Sequence, residues 1–136
     1  MSHYIPDSIR RKVAERANYC CEYCLLPDTR SFFTFHIDHI ISIKHGGSDD
    51  LDNLAYSCQI CNLNKGSDIA TVISNILNPI RFYNPRFDNW HSHFSIESSG
   101  LLIAKSDIAS ATIKILDLNH PDSIIERLEM LKRGLI

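Results

Sequence analysis

The chain has 136 residues, of which 44% are hydrophobic and 22% charged, with a formal net charge of −2. These values suit a soluble globular protein of one domain, long enough to bury roughly two-thirds of its unfolded surface. They exclude a bilayer-spanning chain, since no apolar run nears the roughly 20 residues required. They also exclude nucleic-acid binding through bulk charge, because residues 1–66 carry seven Lys/Arg against eight Asp/Glu and residues 67–136 repeat those numbers.

In chain order, the N-terminal "MSHYIPDSIRRK" lacks the apolar stretch of a secretory signal, and a cytoplasmic protein is expected. "PDSIRRKVAERANYC" predicts a short helix, with Ile9, Val13 and Ala17 at spacing four behind Asp7 or Ser8 as N-cap. "CEYC" reads as a tight knuckle, and "SFFTFHIDHIISI", rich in β-branched and aromatic residues, predicts a strand. "KHGGSDDLDN" is a turn-rich loop in which His45-Gly46-Gly47 permits positive φ, and "LAYSC" is a brief second strand leading to a second knuckle, "CQIC". Ile69, Val72, Ile73, Ile76 and Leu77 share one stripe and predict a helix, split by Gly66 and Ser67 from a short turn at "CNLNK".

After Pro79 the texture changes. "NPIRFYNPRFDNWHSHF" predicts an aromatic, proline-punctuated linker, with packing as the reading for Trp90, His91 and His93. "HFSIESSGLLIAKS" predicts a hairpin about Ser99-Gly100, and "SATIKILDLN" a helix. "PDSIIERLEMLKRG" predicts a last helix with Pro121 at its first position and Ile124, Ile125, Leu128 and Leu131 as its core face. The shift near 78–80 divides a core, residues 1–78, from an extension, residues 79–136, packed on it.

Five cysteines stand at 20, 21, 24, 58 and 61. In a reducing compartment, paired C-x-x-C units hold metal rather than forming disulfides. Cys21-x-x-Cys24 and Cys58-x-x-Cys61 each offer two thiolates to one ion, and together they complete a tetrahedron. Zinc accepts four sulfurs with no open position, so the site is structural. Cys20 is the spare; it could replace Cys21, but C-x2-C matches the second pair better. The 33 residues between the pairs contain the histidine-rich strand, so closing the zinc site fastens both ends of that element.

"FHIDHIISIKHGG" crowds His36, Asp38, His39 and His45 into an apolar run. Strand alternation puts His36 and Asp38 on one face and His39 on the other, so Asp38 and His39 converge only if the strand ends or bulges there. Singly, these residues read as satisfied core histidines and a surface aspartate. Likewise Asn53 reads as a turn residue, Asn62 as a helix N-cap and Lys65 as a solvated charge. The ordered set says more. "CEYC", "HIDHI", "HGG", "NL" and "CQICNLNK", spread over about residues 10–66, resemble the HNH endonuclease family. "FYNPRFDNWHSHF" and the final helices look like the C-terminal extension of some bacterial members.

The resemblance implies an α+β fold: a zinc-stapled ββα-metal core with a C-terminal hairpin and helix extension. It implies a metal-dependent enzyme that hydrolyses phosphodiester bonds in DNA. Asp38 becomes a ligand of a catalytic Mg²⁺ or Mn²⁺, and Asn62 the second ligand. His39 becomes the general base, and Asn53 the residue that hydrogen-bonds across the loop and holds His39. Cys21, Cys24, Cys58 and Cys61 take the structural Zn²⁺, and Lys65, His36 and His45 are candidate nucleic-acid contacts. An imidazole with unperturbed pKa about 6.5 suits water activation near neutrality, and an ion held by one carboxylate keeps sites for phosphate oxygens. The sequence departs from many members at Ser42, where they carry proline, and has Asn62 where the family has His or Asn. The competing expectation is a noncatalytic zinc-knuckle module that binds nucleic acid or protein.

Overall fold

The computed structural model describes residues 4–28, 35–74 and 77–136. Helix α1, Asp7–Arg16, starts after Pro6. The expected cap by Asp7 or Ser8 is not made: Pro6 is the N-cap residue and no side chain caps the helix. Ile9 and Val13 pack with Ile5 and Leu54 in a small cluster. Arg16 holds α1 on the following hairpin by donating to Leu51 O at 3.0 Å and Leu54 O at 2.7 Å.

The predicted long strand is short. Strand β1 is His36–His39; its expected start at 31–34 lies outside the described residues, and after His39 the chain turns away. β1 pairs antiparallel with β2, Leu54–Ser57, with Asp38 opposite Ala55 and His39 opposite Leu54. Helix α2, Gln59–Lys65, follows directly, giving a β-hairpin-then-helix unit. Cys58 caps α2 through its sulfur, and Gly66 ends it with φ +50°.

Among its described residues the stripe at 69–77 does not make a helix. Ala70–Thr71 is strand β3, paired with β4, Ile80–Arg81, while Ile69, Val72 and Leu77 are exposed and Ile76 lies outside the described residues. The β-branched run Thr71–Ile73 favours extended backbone, and of the stripe's described residues only Ile73 packs against the core.

The segment read as a linker supplies core instead. Phe82, Tyr83, Trp90 and Phe94 are buried, Trp90 stacks on Phe94, and its Nε1 donates to Tyr23 O at 3.0 Å. Such rings bury more apolar area than any other side chain, so they are drawn under the zinc knuckles despite the prolines. One cluster runs from the knuckle cysteines through these rings to Leu102, Leu116 and Met130.

After the short helix α3, Trp90–His93, the predicted hairpin forms from β5, Phe94–Ile96, and β6, Leu102–Ala104. Its turn needs Gly100: at φ +92° a side chain there would meet Ile124 O at 2.4 Å. Helix α4 is Asp107–Leu116, earlier than expected because Ser106 caps it by accepting from Ala109 N.

Helix α5, Pro121–Lys132, has Pro121 in its first turn as expected, but its core face is not the predicted one. Ser123, Arg127 and Met130 are buried, whereas Ile125 is 65% exposed and Ile124, Leu128 and Leu131 are only partly covered. The face is chosen by Arg127, which satisfies carbonyls that no isoleucine could. Among the described residues no helix is long and apolar enough to cross a membrane.

Candidate metal centre and hydrolytic site

Cys21, Cys24, Cys58 and Cys61 are all buried, with their sulfurs within 4.8 Å of one another. Cys24 Sγ and Cys58 Sγ lie 3.6 Å apart, close to the spacing of sulfurs sharing a zinc at about 2.3 Å. In each knuckle the second cysteine's backbone N–H points at the first one's sulfur, at 3.5 Å for Cys24 to Cys21 and for Cys61 to Cys58. Burial raises the Cys21 thiol, but hydrogen bonds from Cys24, Cys58 and Cys61 outweigh it and hold Cys21 well below its ordinary range. The same bonding to Cys21 pushes Cys24 and Cys61 up. A closed set of four soft donors fits a structural zinc. Cys20 stands apart, its sulfur on Asn18 O at 3.5 Å.

Behind the knuckles sits a residue that periodicity did not reveal. Arg127 is fully buried, with Nε donating to Gly100 O at 2.8 Å, Nη2 to Leu118 O at 2.7 Å and Nη1 to Cys24 O at 3.3 Å. Burial lowers its pKa, and the four cysteines oppose that. Arg127 lies two residues past the exposed Ile125, on the opposite side of α5, and could be found only by asking where a fully buried cation is needed.

β1 ends at His39, and this termination resolves the alternation problem. Asp38, His39, Ser42 and Asn62 line one open hollow of about 230 Å³ together with Gly66 and Ser67. Asp38 comes from β1, and Asn62 from the first turn of α2, directly after Cys61. Asp38 is 4% exposed: its carboxylate accepts from Tyr23 Oη at 2.7 Å and from Lys65 Nζ at 3.2 Å. Burial raises Asp38 above the ordinary carboxylate range, with Lys65 and Tyr23 pulling it back. Lys65, itself buried, also donates to His39 O at 3.0 Å, so it braces the end of the strand from inside.

His39 Nε2 lies 2.7 Å from Asp49 Oδ1. Asp49 was not singled out by the sequence; its only signal is its place in an acidic loop ten residues on. Asn53 crosses that loop with three bonds: Oδ1 accepts from Ile41 N at 2.9 Å, and Nδ2 donates to Ile41 O at 2.9 Å and Ser48 O at 2.8 Å. The close approach demands Gly47, where a Cβ would sit 1.7 Å from Ile41 O. Asn53 thus ties the exit of β1 to the residue beside Asp49.

His36 opens β1 opposite Ser57, partly covered, and His45 is exposed in the 3-10 turn Ile43–His45. Lys65 and Arg81 share one cleft, Arg86 pairs with Glu22, and Lys44 is exposed.

The hollow also suits a hard cation. It collects a carboxylate, an amide and an imidazole, and a carboxylate offers about four acceptor sites, more than Tyr23 and Lys65 use. The Ser42 hydroxyl in its wall is buried with no hydrogen-bond partner among the described residues.

A zinc-type tetrathiolate beneath a β-hairpin and helix, with these groups gathered at the strand end, defines a nuclease-type or nucleic-acid-binding domain. Residues 21–68 match the family model of the HNH endonucleases, which supports the HNH resemblance for that segment. The match contains all four cysteines with Asp38, His39, Asn53, Asn62 and Lys65. Comparisons with curated proteins and with solved structures gave no match.

Proposed function

We propose that the protein is a metal-dependent endonuclease that hydrolyses phosphodiester bonds in DNA. The observation that carries this reading is the convergence of Asp38, His39 and Asn62 on one open hollow at the end of β1. His39 acts as general base on a water molecule. Asp49 accepts the Nε2 proton and holds the ring, which puts the basic lone pair on Nδ1. Asn53 keeps the loop that carries Asp49 in register with the strand. A divalent ion held by Asp38 and Asn62 would neutralise charge developing on the phosphate and the leaving oxygen. Lys65 keeps Asp38 oriented, and its buried place makes it a partner of that carboxylate before it is a contact for DNA. The hydrolysis leaves 5′-phosphate and 3′-hydroxyl ends, by family resemblance.

The test is plasmid nicking with Mg²⁺ or Mn²⁺ by zinc-loaded protein. Cleavage that disappears in a His39→Ala variant of unchanged zinc content supports the reading; equal cleavage by that variant overturns it. One observation favours the noncatalytic alternative: Asp38 is closed in by Lys65 and Tyr23. That alternative expects tight zinc, nucleic-acid or protein binding, and no cutting with either ion.

A further inference from the structure

Beside the hydrolytic hollow lies a second depression, a cleft of about 270 Å³ with an apolar floor of Ile40, Ile41 and Phe82. The two depressions share their partitions. Along one, Asp38, His39 and Ser42 line the hollow while Ile40 and Ile41 line the cleft; along the other, Asn62 and Gly66 line the hollow while Lys65 and Ile69 line the cleft. Lys65 spans the divide, since it walls the cleft and bonds Asp38. At the rim stands Phe87, 84% exposed. Asn84, also in the wall, accepts from Arg86 N at 2.9 Å through Oδ1, and its NH2 has no partner among the described residues.

We propose that this cleft receives an unpaired nucleobase of the strand whose phosphate enters the hollow, so that the substrate is single-stranded or locally unpaired DNA. The proposal rests on the hydrolytic reading above and adds to it the form of the nucleic acid. A phosphodiester seated among Asp38, His39 and Asn62 carries a nucleoside on each side, and one side meets the partition formed by Ile40, Ile41 and Lys65. An apolar floor with an exposed aromatic ring accepts the face of any base, because stacking is indifferent to sequence. An amide NH2 donates to an acceptor on a base edge. A base that is paired and stacked in a duplex cannot enter such a cleft. Charge points the same way. The chain carries net −2, and Arg81 is held bidentate by Asp88 at 2.8 and 2.9 Å. Lys65, the other cation in the cleft wall, is bonded to Asp38, so neither cation of the cleft is free for a duplex backbone and affinity there must come from contact with the base.

Zinc-loaded full-length protein carrying His39→Ala, which prevents turnover, is titrated into three fluorescein-labelled probes of equal length. These are a single strand of mixed sequence, a strand with abasic sites in place of its bases, and a duplex. The single strand is expected to bind about tenfold or more tightly than either of the others, and Phe87→Ala to remove that preference. Phe87 is exposed enough that its loss leaves the fold intact, which zinc content and circular dichroism verify. Equal affinity for the native and abasic strands, equal affinity for single strand and duplex, or a preference untouched by Phe87→Ala overturns the proposal. Cleavage is measured separately with His39 present. Base-dependent binding without cleavage keeps the cleft and overturns the hydrolytic reading. Cleavage without base-dependent binding keeps that reading and overturns the cleft.

Discussion

Replacing Arg127 by methionine removes the guanidinium while keeping a side chain of similar reach. The change strips the donor from Gly100 O, Leu118 O and Cys24 O, and one donor from Asn119 Oδ1, which still accepts from Leu102 N. Each buried carbonyl left without a partner costs about 1–3 kcal/mol. Some relaxation toward water brings the sum to about 4 kcal/mol, within the range for breaking a buried charged network. That is a large share of the 5–15 kcal/mol typical of a domain. For a chain of this size, 1 kcal/mol moves Tm by roughly 3 °C, so thermal unfolding of the zinc-loaded variant should fall by about 12 °C. Zinc should also pass faster to a chelator. Four thiolates around Zn²⁺ leave a net negative charge, and Arg127 is the buried cation bonded to the first knuckle. A variant that melts within two degrees or so of the parent and releases zinc at the same rate would refute the reasoning.

Asn53→Ala removes three bonds across the loop and is expected to lower cleavage about a hundredfold with zinc content unchanged, read by plasmid nicking and metal analysis. Lys65→Met leaves Asp38 buried beside Tyr23 alone and should cost about 3 kcal/mol in urea unfolding, most of it regained when Asp38→Asn is added; a single variant as stable as the parent would contradict the brace. Asp88 is held below the ordinary carboxylate range by its bidentate bonds to Arg81, against the opposing effect of burial. Its stabilisation is therefore present above about pH 4 and lost as pH falls through the lower folded value. Arg81 is half exposed, so the gain is at most about 1 kcal/mol, and unfolding midpoints of Asp88→Asn and parent should differ at neutral pH and converge in acid.

The sequence by itself determined the elements whose cause is local or stoichiometric. Two C-x-x-C pairs announce a four-sulfur site because thiolate spacing and metal geometry are linked without reference to the rest of the chain. The turn at Ser99-Gly100 and Pro121 in the first turn of α5 were legible because glycine and proline restrict their own backbone. Only the tertiary structure decided which competing partner each remaining segment takes. Residues 69–77 have a helical stripe, yet Ala70–Thr71 folds as a strand, because Ile80–Arg81 offers pairing and of the stripe's described residues only Ile73 finds burial. The proline-rich stretch after 79 enters the core because Phe82, Tyr83 and Trp90 have the knuckles to cover. Arg127 displaces the isoleucine face of α5, since three buried carbonyls from distant segments meet at that one place. Asp49 reaches His39 for the same kind of reason: Asn53 folds the loop back, and hydrogen-bond demand across the chain leaves no periodic trace in the order of residues.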